Sequence, residues 1–347
     1  MPGSPQSDFS SAARLIARSL EQSPMLTWAR WGEERLERQP RINVLPHHEF
    51  PSGNRRGADA LLDGAGALSA AGSLSSVADS LPSAAGSLSS AAGACPAEEL
   101  RFLTYNIQVG IKTTKYRQYV TKGWKHVLPH DGRNRNLRRI ASVVADHDFV
   151  ALQEVDGGSI RSGFINQVEY LAELAQFPYW YTQLNRDLGP FAQHGNGLLS
   201  RISPAAMEDH RLPGAIPGRG AILVRLPFGG TSVTVVLLHL SLGERSRALQ
   251  LEYVKSLIDG EPNVVIMGDM NSHLTDLLFD SPLAETGLRP AEGVHPTYPS
   301  WRPALALDHV LVSPSLRISE YKVLDCRLSD HRPISVSLAL ADAPVLM

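Results

Sequence analysis

From Leu100 onward the chain is a succession of short apolar runs that end in polar residues. "LRFLTYNIQ" and "DFVALQEV" are two of these, and between them "NRNLRRIASVVADH" places Leu137, Ile140, Val143 and Val144 at helical spacing. The order strand, helix, strand follows. A second helix is predicted in "INQVEYLAELAQF", then strands in "YWYTQL", "NGLLSR" and "GAILVRL". "GAILVRLPF" and "TSVTVVLLHL" flank Gly229-Gly230, and two glycines accept the positive φ values of a tight hairpin turn. The helix "ERSRALQLEYVKSLI" comes next, followed by the strands "NVVIMG", "LDHVLVS" and "ISVSLAL". Helices alternating with strands, plus a hairpin, predict an α/β protein of two packed mixed sheets with helices outside.

The first 99 residues have a different texture. "SSAARLIARSLEQ" and "MLTWARWGEERLERQP" have the spacing of short helices within a polar extension over residues 1–63. Residues 64–99 are a low-complexity linker: the string "SAAGSLSS" occurs at 69–76 and again at 83–90, with few aromatic or β-branched residues to offset ordering entropy. The rival reading is an Ala/Leu helix broken by Gly72, Pro82 and Gly86. Neither segment carries chemistry, which leaves residues 100–343 as the catalytic domain.

Charge and cysteine narrow the function. Residues 1–99 hold 8 Lys+Arg against 11 Asp+Glu, so the remainder holds 25 against 24 and is close to neutral. A global positive field for gripping nucleic acid is absent, and any polyanion site must be local. Cys95 and Cys326 make neither a disulfide framework nor a four-ligand zinc site. No apolar stretch is long enough to span a membrane, and the polar N-terminus lacks the pattern of a secretory signal, so a cytoplasmic protein is expected.

The chemistry lies where the strands end. Asn106 follows "FLTY", Glu154 follows "VALQ", His239 follows "VVLL", and Asp269 and Asn271 follow "VVIMG"; Asp308-His309 opens "VLVS" and Asp330-His331 precedes "RPISVSL". Strand ends meet along one rim, so residues distant in sequence can line one cleft. Each alone reads equally as a strand returning to water. Together they are carboxylates, imidazoles and carboxamides with no cysteine cluster and no nucleophilic serine motif, a set suited to a hard divalent cation rather than zinc.

In this order "TYNIQ", "LQEV", "HGNGLLSR", "LLHL", "GDMN", "LDHVLVS" and "SDHRPI" resemble the endonuclease/exonuclease/phosphatase superfamily, whose fold is that of deoxyribonuclease I. The resemblance covers roughly residues 100 to 340. It implies a four-layer α/β/β/α sandwich and magnesium-assisted attack of water on a phosphoester, with manganese as a substitute. It also implies roles: Glu154 as principal metal ligand, Asn106 holding the metal site, and Asp330 as a second metal contact. His331 would contact the phosphate or activate water, with Asp308 fixing its tautomer and favouring its protonated form. Asp269 would move a proton, Asn271 would donate to phosphoryl oxygens, and His239 would contact the phosphate.

Neighbouring residues support two readings each. Asn196 fits substrate contact or a structural turn, and His194 fits the cleft or a surface turn. His309 reads as packing beside Asp308, His273 as a surface or substrate residue, and His126 and His130 are separated by Pro129, which spoils a metal pair. Residues 112–139 contain nine Lys or Arg and one acid, with Tyr116, Tyr119 and Trp124 interleaved. Lys115, Arg117, Lys122 and Trp124 therefore suit a nucleic-acid backbone with stackable bases, an anionic membrane surface, or a solvated face with Trp124 in the core. The expected enzyme is a monomeric, nuclease-like phosphodiesterase; the alternatives are a phospholipid or sphingolipid head-group hydrolase and a non-catalytic binding module. His239 stands where repair members of the family carry a tyrosine, which argues against abasic-site repair.

Overall fold

A computed structural model describes residues 43–45, 99–111, 131–189 and 191–341. The expected N-terminal helices and linker lie outside the described residues, as do Lys115, Arg117, Lys122, Trp124, His126 and His130.

The strands are β1 (Asn43–Leu45), β2 (Glu99–Asn106), β3 (Phe149–Val155), β4 (Tyr179–Asp187), β5 (Gln193–Ser200), β6 (Ala206–Arg211), β7 (Gly220–Phe228), β8 (Thr231–His239), β9 (Val264–Asp269), β10 (Arg289–Pro290), β11 (Asp308–Val312), β12 (Leu316–Val323) and β13 (Ile334–Leu340). The helices are α1 (Asp131–Val144), α2 (Gln167–Ala175), α3 (Glu244–Ile258) and α4 (Leu274–Phe279). One sheet runs β12-β13-β2-β3-β5-β4 and the other β1-β6-β7-β8-β9-β11-β10. Both are mixed: β2 with β3 and β8 with β9 are parallel, and the other pairings are antiparallel.

The runs are apolar throughout because each central strand is covered on both faces. In β3, Phe149 and Ala151 face the other sheet, where they meet Val235, Leu237 and Met267, while Val150 and Leu152 face Leu137 and Ile140 of α1 and Leu171 of α2. In β8, Val236 and Leu238 likewise turn outward to Leu251 and Val254 of α3 and Leu277 of α4. The layers are therefore α/β/β/α, as the resemblance implies. The Gly229-Gly230 hairpin also forms, with φ of 54° and 80° and Phe228 paired to Thr231.

The structure adds elements that apolar patterning does not show. β6 and β12 lie near sheet edges with most of their residues partly or fully exposed, and β1 adds a strand from the N-terminal extension beside β6. Among the described residues no helix is long and apolar enough to cross a membrane.

Candidate active site

Strand direction brings the polar ends together. The C-terminal ends of β2, β3, β8 and β9 and the N-terminal ends of their antiparallel neighbours β13 and β11 share one rim. In register, His239 and Asp308 both lie opposite Asp269 on its two flanking strands. Glu154 sits at an irregularity where β3 slips against β5 between Gln153 and Val155, with φ of 55°. A bulge of this kind turns a side chain off the ladder and towards the cleft. Asn271 is also left-handed, at φ 47°. Two strained non-glycine residues at one rim are expected where geometry serves function rather than stability.

Asn106 organises the acids. Its Nδ2 donates to Glu154 Oε1 at 3.1 Å and to Asp269 Oδ2 at 3.0 Å, while its Oδ1 accepts from the Gln108 amide. With that oxygen turned to the backbone, Asn106 spaces two carboxylates rather than offering them a third oxygen. Asp269 Oδ1 also accepts from the Asn271 amide at 3.1 Å, and Asn271 Nδ2 donates to the Leu240 carbonyl at 2.9 Å, leaving its second N–H for a ligand. On the other side His331 Nδ1 is 2.8 Å from Asp308 Oδ2, which also accepts from Thr297 Oγ1 at 2.5 Å. His331 Nε2 and His239 Nε2 lie 3.7 and 3.5 Å from Asp269 Oδ2. The Tyr298 ring packs against that of His331, with centroids 4.9 Å apart.

Burial decides the protonation states. It raises the pKa of Asp269 to about 7, although the His331 charge opposes this, and it raises that of Glu154, helped by Asp330 and opposed by the Asn106 hydrogen bond. Burial alone would lower His331, but Asp308 and Asp269 hold it well above its ordinary value. His239, buried beside Arg219, His331 and His194, is pushed well below it and is neutral. Glu154, Asp269, Asp308 and Asp330 thus bring four carboxyl groups into one desolvated cleft, where full ionisation is costly without a cation. Among the described residues, ligand atoms of Asp269, Asp308 and His331 also lie within 4.8 Å of one another.

The weaker sequence candidates separate. Asn196 is fully buried and donates to Gln183 Oε1 and the Gly220 carbonyl, so it braces the two sheets against each other. His309 Nε2 donates to the Ser272 carbonyl at 2.8 Å, the packing role expected of it. His273 precedes α4 at the surface. His194 is held by Arg161 (Nη1 to Nε2, 3.0 Å), itself paired with Asp156 at 2.5 Å. Arg161, Arg186 and Arg219 were invisible in the pattern: they come from the short 3-10 helix Ile160–Ser162, the end of β4 and the segment "PGRG" before β7, with no periodicity to mark them. Arg219 stands near Glu154 and Asp269, whose charges favour its protonated form against burial.

Two sheets with polar strand ends converging on one acidic, histidine-flanked cleft define a phosphoesterase of the sandwich class. The Endonuclease/Exonuclease/phosphatase family profile matches residues 103–331, and the chain belongs to that family. Solved structures agree on the fold. An endonuclease/exonuclease/phosphatase from Beutenbergia cavernae DSM 12333 is 24% identical with a TM-score of 0.57, covering 72% of this chain and 73% of that one. The mannosyl-6-phosphatase Bt3783 of Bacteroides thetaiotaomicron VPI-5482 is 19% identical with a TM-score of 0.52, covering 70% and 100%. A humanized D. rerio TDP2 is 17% identical with a TM-score of 0.51, covering 70% and 99%. No curated protein sequence matches the chain.

Proposed function

We propose that the protein is a divalent-metal-dependent phosphodiesterase of nuclease type. The observation that carries this reading is the hydrogen-bonded chain Glu154–Asn106–Asp269 set opposite the Asp308–His331 pair across one cleft. The oxygen-rich donor set fits magnesium, which takes one or two carboxylates and keeps several waters; Glu154 would hold it, with Asp330 beside it. Bound there, the metal supplies Lewis-acid stabilisation of charge developing on the phosphoryl and leaving oxygens.

The chain's own residues do the rest. His331, kept protonated by Asp308, donates from Nε2 to a phosphoryl oxygen. Asp269, with a pKa near neutrality, accepts the proton of the attacking water, the task for which a base poised near the working pH is suited. Neutral His239 and the second N–H of Asn271 orient the phosphate without adding negative charge. The basic segment with Lys115, Arg117, Lys122 and Trp124 has the charge and the aromatic side chains to bind a polyanion.

A head-group phosphodiesterase is the second reading, favoured by exposed Leu242, Phe191 and Ile216 on loops following or preceding β8, β5 and β7. Hydrolysis of bis(p-nitrophenyl) phosphate, single-stranded and duplex DNA, RNA, abasic duplex and phospholipid vesicles, in EDTA and then in magnesium or manganese, separates the two. Metal-restored cleavage of nucleic acid supports the first reading; cleavage confined to vesicles overturns it.

A further inference from the structure

Arg186, Arg219 and His194 stand together at one end of the cleft, outside the roles described above. In one sheet the order β13, β2, β3, β5, β4 sets His331, Asn106, Glu154, His194 and Arg186 in sequence along the rim; in the other, β11, β9, β8, β7 sets Asp308, Asp269, His239 and Arg219. Both sequences run from the catalytic acids to a basic end. There Arg186 pairs across the β4–β5 register with His194, and its stem lies over Gly218, where an added Cβ would stand 3.2 Å from Arg186 Cβ.

His194 is held as a donor. A guanidinium has no lone pair, so the Nε2 facing Arg161 must accept, and the imidazole proton resides on Nδ1. Burial and the charges of Arg161, Arg186 and Arg219, against the lone attraction of Asp156, push its pKa to about 3, so it stays neutral at ordinary pH. Among the described residues Nδ1 has no partner, and Arg186 and Arg219 form no ion pair. The carboxylates that attract Arg219 are Glu154 and Asp269, which belong to the catalytic centre.

We infer that Arg186, Arg219 and His194 form a second phosphate subsite, so that the preferred substrate carries a further phosphate beside the one cleaved, as an oligonucleotide does. Two arginines and a fixed neutral donor match a phosphodiester oxygen pair, and the burial of Arg219 and His194 strengthens their contacts. The inference rests on the phosphodiesterase reading for its substrate, but binding tests it separately. Thymidine 3′,5′-bisphosphate and the 3′- and 5′-monophosphates are titrated into the full chain in magnesium, using dissociation constants, or KM for a nucleotide that is turned over.

The bisphosphate should bind at least about tenfold tighter than either monophosphate, the scale of one or two charge-assisted hydrogen bonds. Arg186→Gln should bring that ratio to about one, and Arg186→Lys should restore part of it. A ratio near one in the wild-type protein overturns the inference, as does an undiminished ratio in Arg186→Gln. Failure of the phosphodiesterase reading shows separately, as bis(p-nitrophenyl) phosphate left intact with every metal.

Discussion

At the scale of single residues, Asp269 and His331 are both displaced upward, the first by burial and the second by neighbouring carboxylates that outweigh burial. Asp269 is raised to about 7 by burial, above its unfolded range. A carboxyl raised in this way binds a proton more tightly when folded, so the metal-free protein loses stability as pH rises from about 4 through about 7. A cation at the cleft competes with that proton and offsets the cost of ionisation. Magnesium should therefore raise the melting temperature more at pH 8 than at pH 5.5, as differential scanning fluorimetry reads; an equal rise at both would show that Asp269 is ionised throughout. His331 is displaced upward because the Asp308 attraction exceeds the burial penalty. Asp308→Asn should move the alkaline limb of the pH–rate profile to lower pH by about a unit or more, since an adjacent carboxylate shifts a partner by about that much. An unmoved limb would mean that His331 is not the proton-bearing group.

At the scale of elements, the rim depends on how close β8 and β9 run. Gly268 has φ of 148°, and a Cβ there would lie 1.9 Å from the Leu238 carbonyl oxygen, in the residue just before Asp269. Gly268→Ala should cost about 2 kcal/mol or more, read as a lower urea midpoint, because neither the backbone angle nor the contact can relax without parting the strands. An unchanged midpoint would contradict that packing. Central strands were legible in the sequence because burial on both faces leaves them apolar: β3, β8 and β9 are nearly unbroken hydrophobic runs. β12 was not, since five of its eight residues are polar or charged, as an edge strand facing water requires. The site divides along the same line. Acids and histidines ending apolar strands stand out, whereas Arg161, Arg186 and Arg219 are marked only by the three-dimensional meeting of β4, β5 and the turn before β7. Asn196 left two readings open because a polar residue within an apolar run looks the same whether it faces substrate or braces a buried carbonyl.

At the scale of the whole molecule, a nearly neutral chain has a marked local excess of Lys and Arg in the segment 112–139, where nine stand against one acid. If that segment carries nucleic acid, replacing Lys115, Arg117 and Lys122 with Gln should lower the slope of log affinity against log salt by about 2 to 3, in proportion to the number of phosphates no longer neutralised. An unchanged slope would return the segment to a solvated face. The two-sheet construction makes the centre composite: Asn106, Glu154 and His331 come from one sheet, and Asp269, His239 and Asp308 from the other. The six side chains of the proposed site are held by two sheets packed across a common core, the kind of support that precise positioning needs. The most direct test is turnover of bis(p-nitrophenyl) phosphate by wild-type protein and Glu154→Gln across a magnesium titration begun in EDTA. The wild-type protein should be silent in EDTA and restored by magnesium, with Glu154→Gln at least about a thousandfold slower at saturation, the loss expected when a principal charge-stabilising group is removed. Full wild-type turnover in EDTA, or an undiminished Glu154→Gln, would contradict a metal-assisted centre at this rim.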